Sequence, residues 1–510
     1  MSDDNRNRAG TGSAGGRGPK NQGSGPKKGS SSRAKGGERG QGRGADRAQR
    51  QRRQGPGADT GRRPQLKDPR AVALALLTAV RERGAYANLE LPSLLRKAKL
   101  DERDTSLATE LSYGTARAQG QLDRIIAKAA GRSPAKIDAD ALDVLRLGAY
   151  QLLYTRVAQH AAVDTTVELA KREGLIRAAG FINAVMHKIT AHDLAGWTHI
   201  LQEGISDPFE RMAIGTAHPE WIVRSFANAL GKDAAELPQL LAADDSRPKV
   251  HLAARPGAIT AEELALITGG DEAELSPYGV YLPSGSPGDL EPVKEHLAAV
   301  QDEGSQLVAL AAANMPLDGE DTGRWLDLCA GPGGKATMLG ALADIAGAEV
   351  TAIEVAAHRA KLVDGATNGL PVQVKVADGR NPGLEPGFDR VLVDAPCTGL
   401  GALRRRPESR WRRSPDDVTE LTALQKELLA SALKLVRPGG VVVYATCSPH
   451  LPETVSVVND AVRRHSAEIL DVREGLPEAL SGEEGPWVQL WPHRHGTDAM
   501  FMCALRRADA

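Results

Sequence analysis

The chain contains 510 residues, of which 41% are hydrophobic and 25% are charged, so it is long enough for about two to four domains. Its 64 Lys and Arg residues nearly balance 65 Asp and Glu residues. The four cysteines are widely spaced and form no CxxC pair, which excludes a disulfide framework and gives no indication of a metal site. No apolar run approaches the ~18 residues of a membrane-spanning helix, and no signal-peptide pattern opens the chain. We therefore predict a cytoplasmic protein without membrane segments.

Residues 1–67 differ in composition from the rest of the chain, with 17 Lys and Arg, 5 Asp and Glu, and 16 Gly. So few large apolar side chains cannot offset the entropy lost on ordering, and we predict a disordered basic tail. Two interpretations of the tail stay open. The arginines of "RAQRQRRQ" could bind RNA phosphates through counterion release, or the tail could serve only to increase solubility.

Residues 68–195 have the pattern of an all-α domain. The stretch "DPRAVALALLTAVRERG" opens with Asp-Pro, has apolar residues at helical spacing and closes with a Gly, which predicts a helix. Similar patterns predict helices at 103–130, 138–155, 161–173 and 177–190. We interpret the lone His160 and His187 of these helices as packing or surface residues.

Two further regions follow. The sequence pattern of residues 196–299 predicts a linker and a small α+β subdomain. It contains a helical pattern at 218–231 and strand-like runs at 248–256 and 279–285. In residues 300–508, five apolar strand-like runs alternate with helical ones, which predicts an α/β domain with a parallel, doubly wound sheet. Ligands of such sheets bind outside the carboxyl ends of the strands, so the residues at those ends are the candidates for function.

The first strand ends in "DLCAGPGGK" at 327–335, whose glycines allow a tight turn and close approach of a ligand to a helix N-terminus. The spacing is neither GxGxxG nor that of a phosphate-binding P-loop. Glu354 ends the second strand, where a carboxylate can accept the two hydroxyls of a ribose, and Asp378 ends the third, where a carboxylate can hold an adenine amino group. Together the turn and the two acids predict a nucleoside-binding site.

The fourth strand ends in "DAPC" and the fifth in "TCS", so Cys397 and Cys447 are predicted at neighbouring strand ends. A lone free cysteine is usually an inert buried residue, but two at one site indicate chemistry. A thiolate is suited to adding to an electron-poor ring, and addition at C6 activates C5 of cytosine toward a methyl group. An acid near N3, such as Asp394, supports that addition.

Several segments together resemble the Nol1/Nop2/Sun family of RNA 5-methylcytosine methyltransferases, which have a Rossmann-like class I methyltransferase fold. They are "VQDEGSQLVA" at 300–309, "DLCAGPGGK", "VDAPCTGLG" at 393–401, "ALQKELLASALKLVRPGG", "YATCS" and "HRHGTDAMFMCAL" at 493–505. Residues 68–190 resemble the RNA-binding domain of the antitermination factor NusB. This combination is similar to bacterial ribosomal RNA (cytosine-C5) methyltransferases of the RsmB/Fmu/Sun type within that family.

The resemblance implies S-adenosylmethionine as the cofactor. The implied cofactor contacts are Cys329, Ala330, Gly331, Pro332, Gly333, Gly334, Lys335, Glu354, Asp378 and Asp394. It also implies that Cys447 attacks C6 of the cytosine, that Cys397 assists product release, and that Asp394 bonds the base edge near N3. DNA cytosine methyltransferases instead use the cysteine of the Pro-Cys motif as nucleophile, so the presence of both cysteines points to RNA. After Ser448, Glu453 keeps its family position, whereas Thr454 stands where Asn is usual.

Six arginines lie in "LRRRPESRWRRS" at 403–414, just after the Pro-Cys motif. We predict that they contact RNA phosphates, and the alternative is an ordinary solvated loop. They are Arg404, Arg405, Arg406, Arg410, Arg412 and Arg413. Because an enzyme that modifies a base must take it out of the stack, the target cytosine is expected to be single-stranded or flipped out.

Three functions remain to be distinguished. The first is methylation of small-subunit ribosomal RNA, which the NusB-like domain favours. The second keeps the reaction but has transfer RNA as the substrate, because the motifs report chemistry and not the identity of the RNA. The third is an RNA-binding assembly or antitermination factor with a vestigial methyltransferase fold, against which the intact glycines, acids and both cysteines argue.

Overall fold

The computed structural model describes residues 66–283 and 285–507. The predicted disordered tail therefore lies outside the described residues, apart from its last two. Among the described residues, no helix has both the length and the apolar character needed to cross a membrane.

The first part of the described chain is all-α, as the sequence predicts. Helix α1 begins after Asp68, whose carboxylate accepts a hydrogen bond of 2.9 Å from the backbone N–H of Arg70, and ends at Gly84 with φ of 62°, a conformation that glycine adopts readily. The apolar faces of most of these helices form a core around α3 and α4, and α2 packs with α1 and α3 in a second, smaller cluster. The helices are α1 (Pro69–Arg83), α2 (Ala87–Ala98), α3 (Glu102–Ala130), α4 (Ala139–Tyr154), α5 (Gln159–Arg172), α6 (Ala179–Ile189) and α7 (Leu194–Gln202).

Three more helices lead to a small four-stranded sheet. They are α8 (Pro208–Gly215), α9 (Glu220–Leu230) and α10 (Leu237–Asp245). The sheet and its helices comprise β1 (Val250–Ala254), α11 (Ala261–Thr268), β2 (Asp271–Glu272), β3 (Gly279–Leu282), α12 (Glu291–Lys294) and β4 (Ala298–Val300). Its strands pair antiparallel in the order β2-β3-β1-β4. The sequence patterns anticipate β1 and β3, whereas β4 has no pattern of its own and forms by pairing with β1.

The largest part is an α/β layer structure with the predicted alternation of strands and helices. Its elements are α13 (Glu303–Asn314), β5 (Arg324–Asp327), α14 (Gly334–Ala346), β6 (Glu349–Glu354), α15 (Ala357–Ala366), β7 (Val372–Val376), β8 (Phe388–Asp394), α16 (Ser409–Arg412), α17 (Pro415–Leu435), β9 (Val436–Thr446), α18 (Val455–His465), β10 (Ala467–Leu470), β11 (Trp487–Gln489), α19 (Pro492–His495) and β12 (Phe501–Arg507). The main strand order is β10-β12-β9-β8-β5-β6-β7.

Strands β5 to β9 are parallel, and all of them except the exposed edge strand β7 are largely buried on both faces. Alternate residues of β9 show this: Val441 and Val443 pack against α13 and α14 on one face, while Val442 and Tyr444 pack against α17 and α18 on the other. The carboxyl ends of these strands therefore lie along one edge of the sheet. The candidate cofactor-binding and catalytic residues lie at this edge, at or just after the strand ends.

The sheet is mixed rather than purely parallel, which the strand pattern alone did not predict. Strand β12 runs antiparallel to β9, and β10 and β11 pair antiparallel with its outer edge. Strand β12 overlaps the motif at 493–505. The motif does not show which strand β12 pairs with, because strand pairing depends on residues that are distant in the sequence.

Candidate active site

The two predicted thiols meet at the carboxyl edge of the sheet. Strands β8 and β9 are parallel neighbours in which Asp394 lies opposite Ala445, so the turns that follow them are adjacent. The sulfur atoms of Cys397 and Cys447 lie 3.4 Å apart, a distance at which one thiol can donate a hydrogen bond to the other. Both residues are partly exposed and unpaired by a disulfide, so the pair can act as reactive thiols.

The two thiols have different electrostatic surroundings. A hydrogen bond from Cys397 lowers the pKa of Cys447, and the positive charges of Arg406 and Lys335 act in the same direction, against burial and the charge of Asp394. The pKa of Cys397 is raised well above its ordinary value by its hydrogen bond to Cys447 and by burial. The arrangement therefore favours a Cys447 thiolate that accepts a hydrogen bond from the neutral thiol of Cys397.

Glu453 fixes the geometry of this pair and was not assigned a role from the sequence. Its side chain is fully buried and accepts hydrogen bonds from the backbone N–H of Thr398 at 2.7 Å and from the hydroxyl of Ser448 at 2.8 Å. These residues directly follow Cys397 and Cys447. One buried carboxylate thus ties the two cysteine turns together. Its retained family position was the only signal in the sequence.

A lysine and three acids occupy the same edge beside the thiols. Lys335 donates from Nζ to Asp394 at 2.9 Å and to the hydroxyl of Ser305 at 3.3 Å. Asp327, at the end of β5, is fully buried, and burial, reinforced by the charge of Asp394, raises the pKa of Asp327 to about 7. Glu354, at the end of β6, is also buried. The site is therefore rich in carboxylates that have little water around them.

The turn 329–334 joins β5 to α14 and lies close to Glu354. A Cβ atom on Gly331 would lie 2.1 Å from Glu354 Oε2, so only glycine fits there, and Gly333 has φ of 117°. Glu354 accepts from the backbone N–H of Ala356 at 2.9 Å. Within the turn, Ala330 is buried and bonds to β6, and burial raises the pKa of the Cys329 thiol well above its ordinary value.

Two buried polar atoms at this turn have no protein partner among the described residues, Gln301 Nε2 and Asp327 Oδ2. Gln301 Nε2 lies 3.7 Å from the position a Cβ on Gly334 would take. Buried polar groups normally have hydrogen-bond partners, so unpaired atoms beside a glycine turn fit a bound polar ligand. The turn, the Glu354 carboxylate and these atoms together suit a nucleoside that also carries charged groups.

Asp378 lies at the far side of this edge and is more exposed than the other acids. Hydrogen bonds from Arg380, one of them 2.6 Å long, lower the pKa of Asp378. The residue follows β7 as predicted. Because Arg380 occupies its carboxylate in this structure, contact with an adenine amino group requires the arginine to share or release it.

The arginine loop, residues 398–413, does not match the RNA-binding surface that its sequence predicts. Arg404 and Arg410 are buried and have protein acceptors: Arg404 bonds to Asp498 at 3.2 Å, and Arg410 bonds to Asp245 at 3.0 Å. A guanidinium enclosed by protein cannot reach a phosphate, so RNA contact is wrong for these two residues. The basic composition of the loop did not reveal that their partners lie more than 90 residues away in sequence.

The other four arginines are half-buried. Arg405 bonds to Asp302 at 2.7 Å and to Asp498 at 2.9 Å, and Arg412 donates to backbone carbonyls of the helical domain. Arg413 makes one bond, to the carbonyl of Thr398 at 3.2 Å, and Arg406 lies over an aromatic ring. RNA contact stays a prediction for Arg405, Arg406, Arg412 and Arg413, and the guanidinium groups of Arg406 and Arg413 have the fewest acceptors among the described residues.

A parallel five-stranded sheet with a reversed strand beside the fifth, a glycine turn after the first strand and acids at the next strand ends define a Rossmann-like methyltransferase. Comparisons with known proteins agree. Residues 314–506 match the family model described as 16S rRNA methyltransferase RsmB/F, and residues 67–191 match the NusB family.

Whole-length relatives extend this match. The chain is 57% identical over 443 residues to a putative methyltransferase of Mycobacterium tuberculosis, covering 86% of this chain and 97% of the relative. It is 31% identical over 459 residues to the probable ribosomal RNA small subunit methyltransferase B of Bacillus subtilis, covering 86% and 98%. The chain belongs to the RsmB/F family of methyltransferases and is an enzyme of that family, with a NusB-family domain at its N-terminal side.

Solved structures share the fold at lower identity. The crystal structure of PH0851 has a TM-score of 0.72 at 21% identity and covers 87% of this chain and 99% of its own. The structure of NSun6 from Pyrococcus horikoshii with SFG has a TM-score of 0.50 at 18% identity, covering 57% and 99%.

Proposed function

We propose that this enzyme methylates C5 of a cytosine in RNA, with S-adenosylmethionine as the cofactor and small-subunit ribosomal RNA as the favoured substrate. The observation that carries the proposal is the pair of thiols 3.4 Å apart, of which Cys447 has the lowered pKa. A thiolate beside a neutral thiol is the arrangement needed to form and later break a covalent bond to a pyrimidine ring.

The residues around the glycine turn would hold the cofactor. The turn 329–334 offers backbone N–H groups at the start of α14, Glu354 would accept the ribose hydroxyls, and Gln301 Nε2 and Asp327 Oδ2 are polar atoms in need of partners. The adenine end would lie toward Asp378. When bound, S-adenosylmethionine supplies the methyl group as an electrophile.

The thiols and Asp394 would perform the chemistry on the base. The Cys447 thiolate forms a bond to C6, and the electron pair of the C5=C6 bond makes C5 nucleophilic. Asp394 holds Lys335 through Oδ2, and its Oδ1, which has no hydrogen-bond partner among the described residues, would bond the base edge near N3. After methyl transfer, solvent water takes the C5 proton, the C5–H electron pair re-forms the C5=C6 bond, and the C6–S pair leaves with Cys447 as the thiolate. Cys397, next to that sulfur, would assist this elimination.

The choice of RNA is supported by similarity. The family model and the Bacillus subtilis relative carry ribosomal RNA in their names, and the NusB-family domain is fused to the catalytic domain. Transfer RNA is the alternative substrate. Bisulfite sequencing of total RNA from a deletion strain distinguishes the two, because loss of a small-subunit ribosomal cytosine mark is expected, and loss of transfer RNA marks alone would contradict the ribosomal assignment.

Two cysteine variants test the mechanism. We expect Cys447→Ala to abolish methyl transfer and adduct formation, and Cys397→Ala to accumulate a covalent enzyme–RNA adduct, visible as a band shift on a denaturing gel. Cys503→Ala is the matched control because that thiol is buried in β12 away from the pair. Exchanged phenotypes of the first two variants would overturn the division of roles.

A further inference from the structure

A buried glutamine of α17 reaches the turn that carries Cys397. Gln425 is fully buried, and its Nε2 donates to the carbonyl of Pro396 at 2.9 Å and to Glu453 Oε1 at 3.2 Å. A carbonyl and a carboxylate can only accept, so the amide nitrogen, which carries two hydrogens, must be the atom that faces them. The motif that contains Gln425, residues 423–440, has no role in the site described above, and this contact gives it one to test.

The two peptide groups that flank Cys397 are both held by this arrangement. Gln425 holds the carbonyl of Pro396, which belongs to the peptide group before the cysteine. Glu453 accepts from the backbone N–H of Thr398 at 2.7 Å, which belongs to the peptide group after it. Because peptide groups are planar, fixing both of them sets the direction in which the cysteine side chain leaves the backbone. Rotation about one side-chain bond is then the only freedom left to the sulfur atom.

Cys447 is held by other contacts. It directly follows β9, and its carbonyl accepts from the backbone N–H of Gly401 at 2.9 Å. The hydroxyl of the next residue, Ser448, donates to Glu453 Oε2 at 2.8 Å, which is the carboxylate oxygen that does not face Gln425. The sulfur atoms of the two cysteines are 3.4 Å apart. Gln425 therefore acts on this separation chiefly through the position of the other cysteine.

We propose that Gln425 is a positioning residue for Cys397, which holds the Cys397 turn so that this thiol stays within hydrogen-bond distance of the Cys447 sulfur. The proposal rests on the proposed function, in which Cys397 assists release of the methylated base. Gln425 then matters more for the step after methyl transfer than for the attack by Cys447. Removing a donor whose buried acceptors stay behind is costly, so a change at this residue displaces the turn.

The first measurement uses the full-length protein without RNA. Diamide takes two protons and two electrons from a pair of adjacent thiols and leaves a disulfide, and peptide mapping by mass spectrometry identifies the Cys397–Cys447 pair. We expect Gln425→Met, which keeps the side-chain length and removes both donors, to slow this oxidation by about tenfold, since the reacting atoms lose their alignment. Gln425→Asn keeps the amide on a shorter side chain and is expected to give a smaller decrease.

The second measurement separates methyl transfer from product release. With RNA and labelled cofactor, the first turnover of Gln425→Met is expected to stay within about twofold of the wild-type rate, while later turnovers slow by roughly tenfold. A covalent enzyme–RNA adduct should accumulate on a denaturing gel. A merely structural role would lower the first and the later turnovers equally, and that result would overturn the proposal.

Gln121→Met is the matched control. Gln121 is a buried glutamine of α3 whose Nε2 donates to the hydroxyl of Thr198 at 3.0 Å, within the helical domain, and its loss is expected to leave thiol oxidation and release unchanged. Oxidation of Gln425→Met at the wild-type rate, or loss of folding in both Gln425 variants, would overturn the proposal. Failure of the proposed function is seen separately, because methyl transfer would then persist in Cys447→Ala whatever the oxidation rates show.

Discussion

The carboxyl edge of the sheet and the arginine loop 398–413 are consecutive in the chain, yet their sequences predicted them unequally. At the edge, Cys397, Cys447, Asp394 and Lys335 lie together as their strand-end positions predict. In the loop, six arginines suggested an RNA surface, but the structure uses most of them internally. The topology of a parallel sheet is enough to bring its strand ends together. The hydrogen-bond acceptors of a loop's side chains, in contrast, come from distant parts of the chain.

The difference also separates two kinds of charged residue. At the edge, Lys335 pairs with Asp394, whereas Asp327 is buried with one carboxylate oxygen that has no hydrogen-bond partner among the described residues, which is typical of a functional site. In the loop, Arg404 and Arg410 are buried with acceptors, as structural charges must be. A cluster of arginines therefore indicates RNA contact only when their side chains are shown to lack protein partners.

The largest expected effect lies at the edge. Lys335→Met removes the cation that pairs with Asp394 and leaves several carboxylates close together without compensation. We expect methyl transfer to fall by about 100-fold or more, the usual cost of losing one electrostatic partner in a catalytic site. Single-turnover transfer of labelled methyl groups measures it. Lys434→Met, which changes an exposed lysine of α17, is the control, and an equal loss there would contradict a specific role for Lys335.

The next effect concerns stability and the loop. Trp411→Ala is expected to lower the free energy of unfolding by about 3 kcal/mol because an aromatic anchor is removed. Gly120→Ala should also destabilise, since the added Cβ would lie 2.2 Å from the Trp411 ring, but it should stabilise by about 1 kcal/mol when combined with Trp411→Ala, where helix propensity alone remains. Urea denaturation measures both.

A control for that cycle is Gly180→Ala in α6, which has nothing within 4 Å of the added Cβ. It should stabilise the protein slightly in either background. If Gly120→Ala behaved like Gly180→Ala in the wild-type background, the Trp411 contact would not be present in solution.

A smaller effect tests the corrected RNA surface. Arg413→Gln should weaken RNA binding by roughly threefold to tenfold and reduce the slope of log affinity against log salt by about 1. Arg404→Gln should lower stability and leave that slope unchanged, because its guanidinium is buried against Asp498. RNA binding measured across a salt series checks both, and a reduced slope for a folded Arg404→Gln would restore the RNA assignment of Arg404.

The last expected effect is a pH dependence of stability. Burial raises the pKa of Asp244, which lies beside Arg410, to about 8, although the charge of Arg410 opposes this. A raised pKa in the folded state means that the stabilising contribution is complete below the unfolded value of about 4 and is lost as the pH rises toward 8. Asp244→Asn should therefore lose less stability than wild type between pH 5 and pH 8 in urea denaturation. Parallel losses would show that Asp244 is ionised in the folded protein.

The sequence by itself determined the helical domain, the order of strands and helices, the glycine turn and the placement of both thiols at neighbouring strand ends. These follow from local hydrophobic periodicity and from the topology of parallel strands, and both can be recognised from short segments of the sequence. Only the tertiary structure decided that β12 runs antiparallel to β9, that Glu453 ties the two cysteine turns together, and that Arg404 and Arg410 point inward. Each of these depends on a contact between residues that local pattern does not connect, because burial and hydrogen-bond partners are set by what packs nearby after folding.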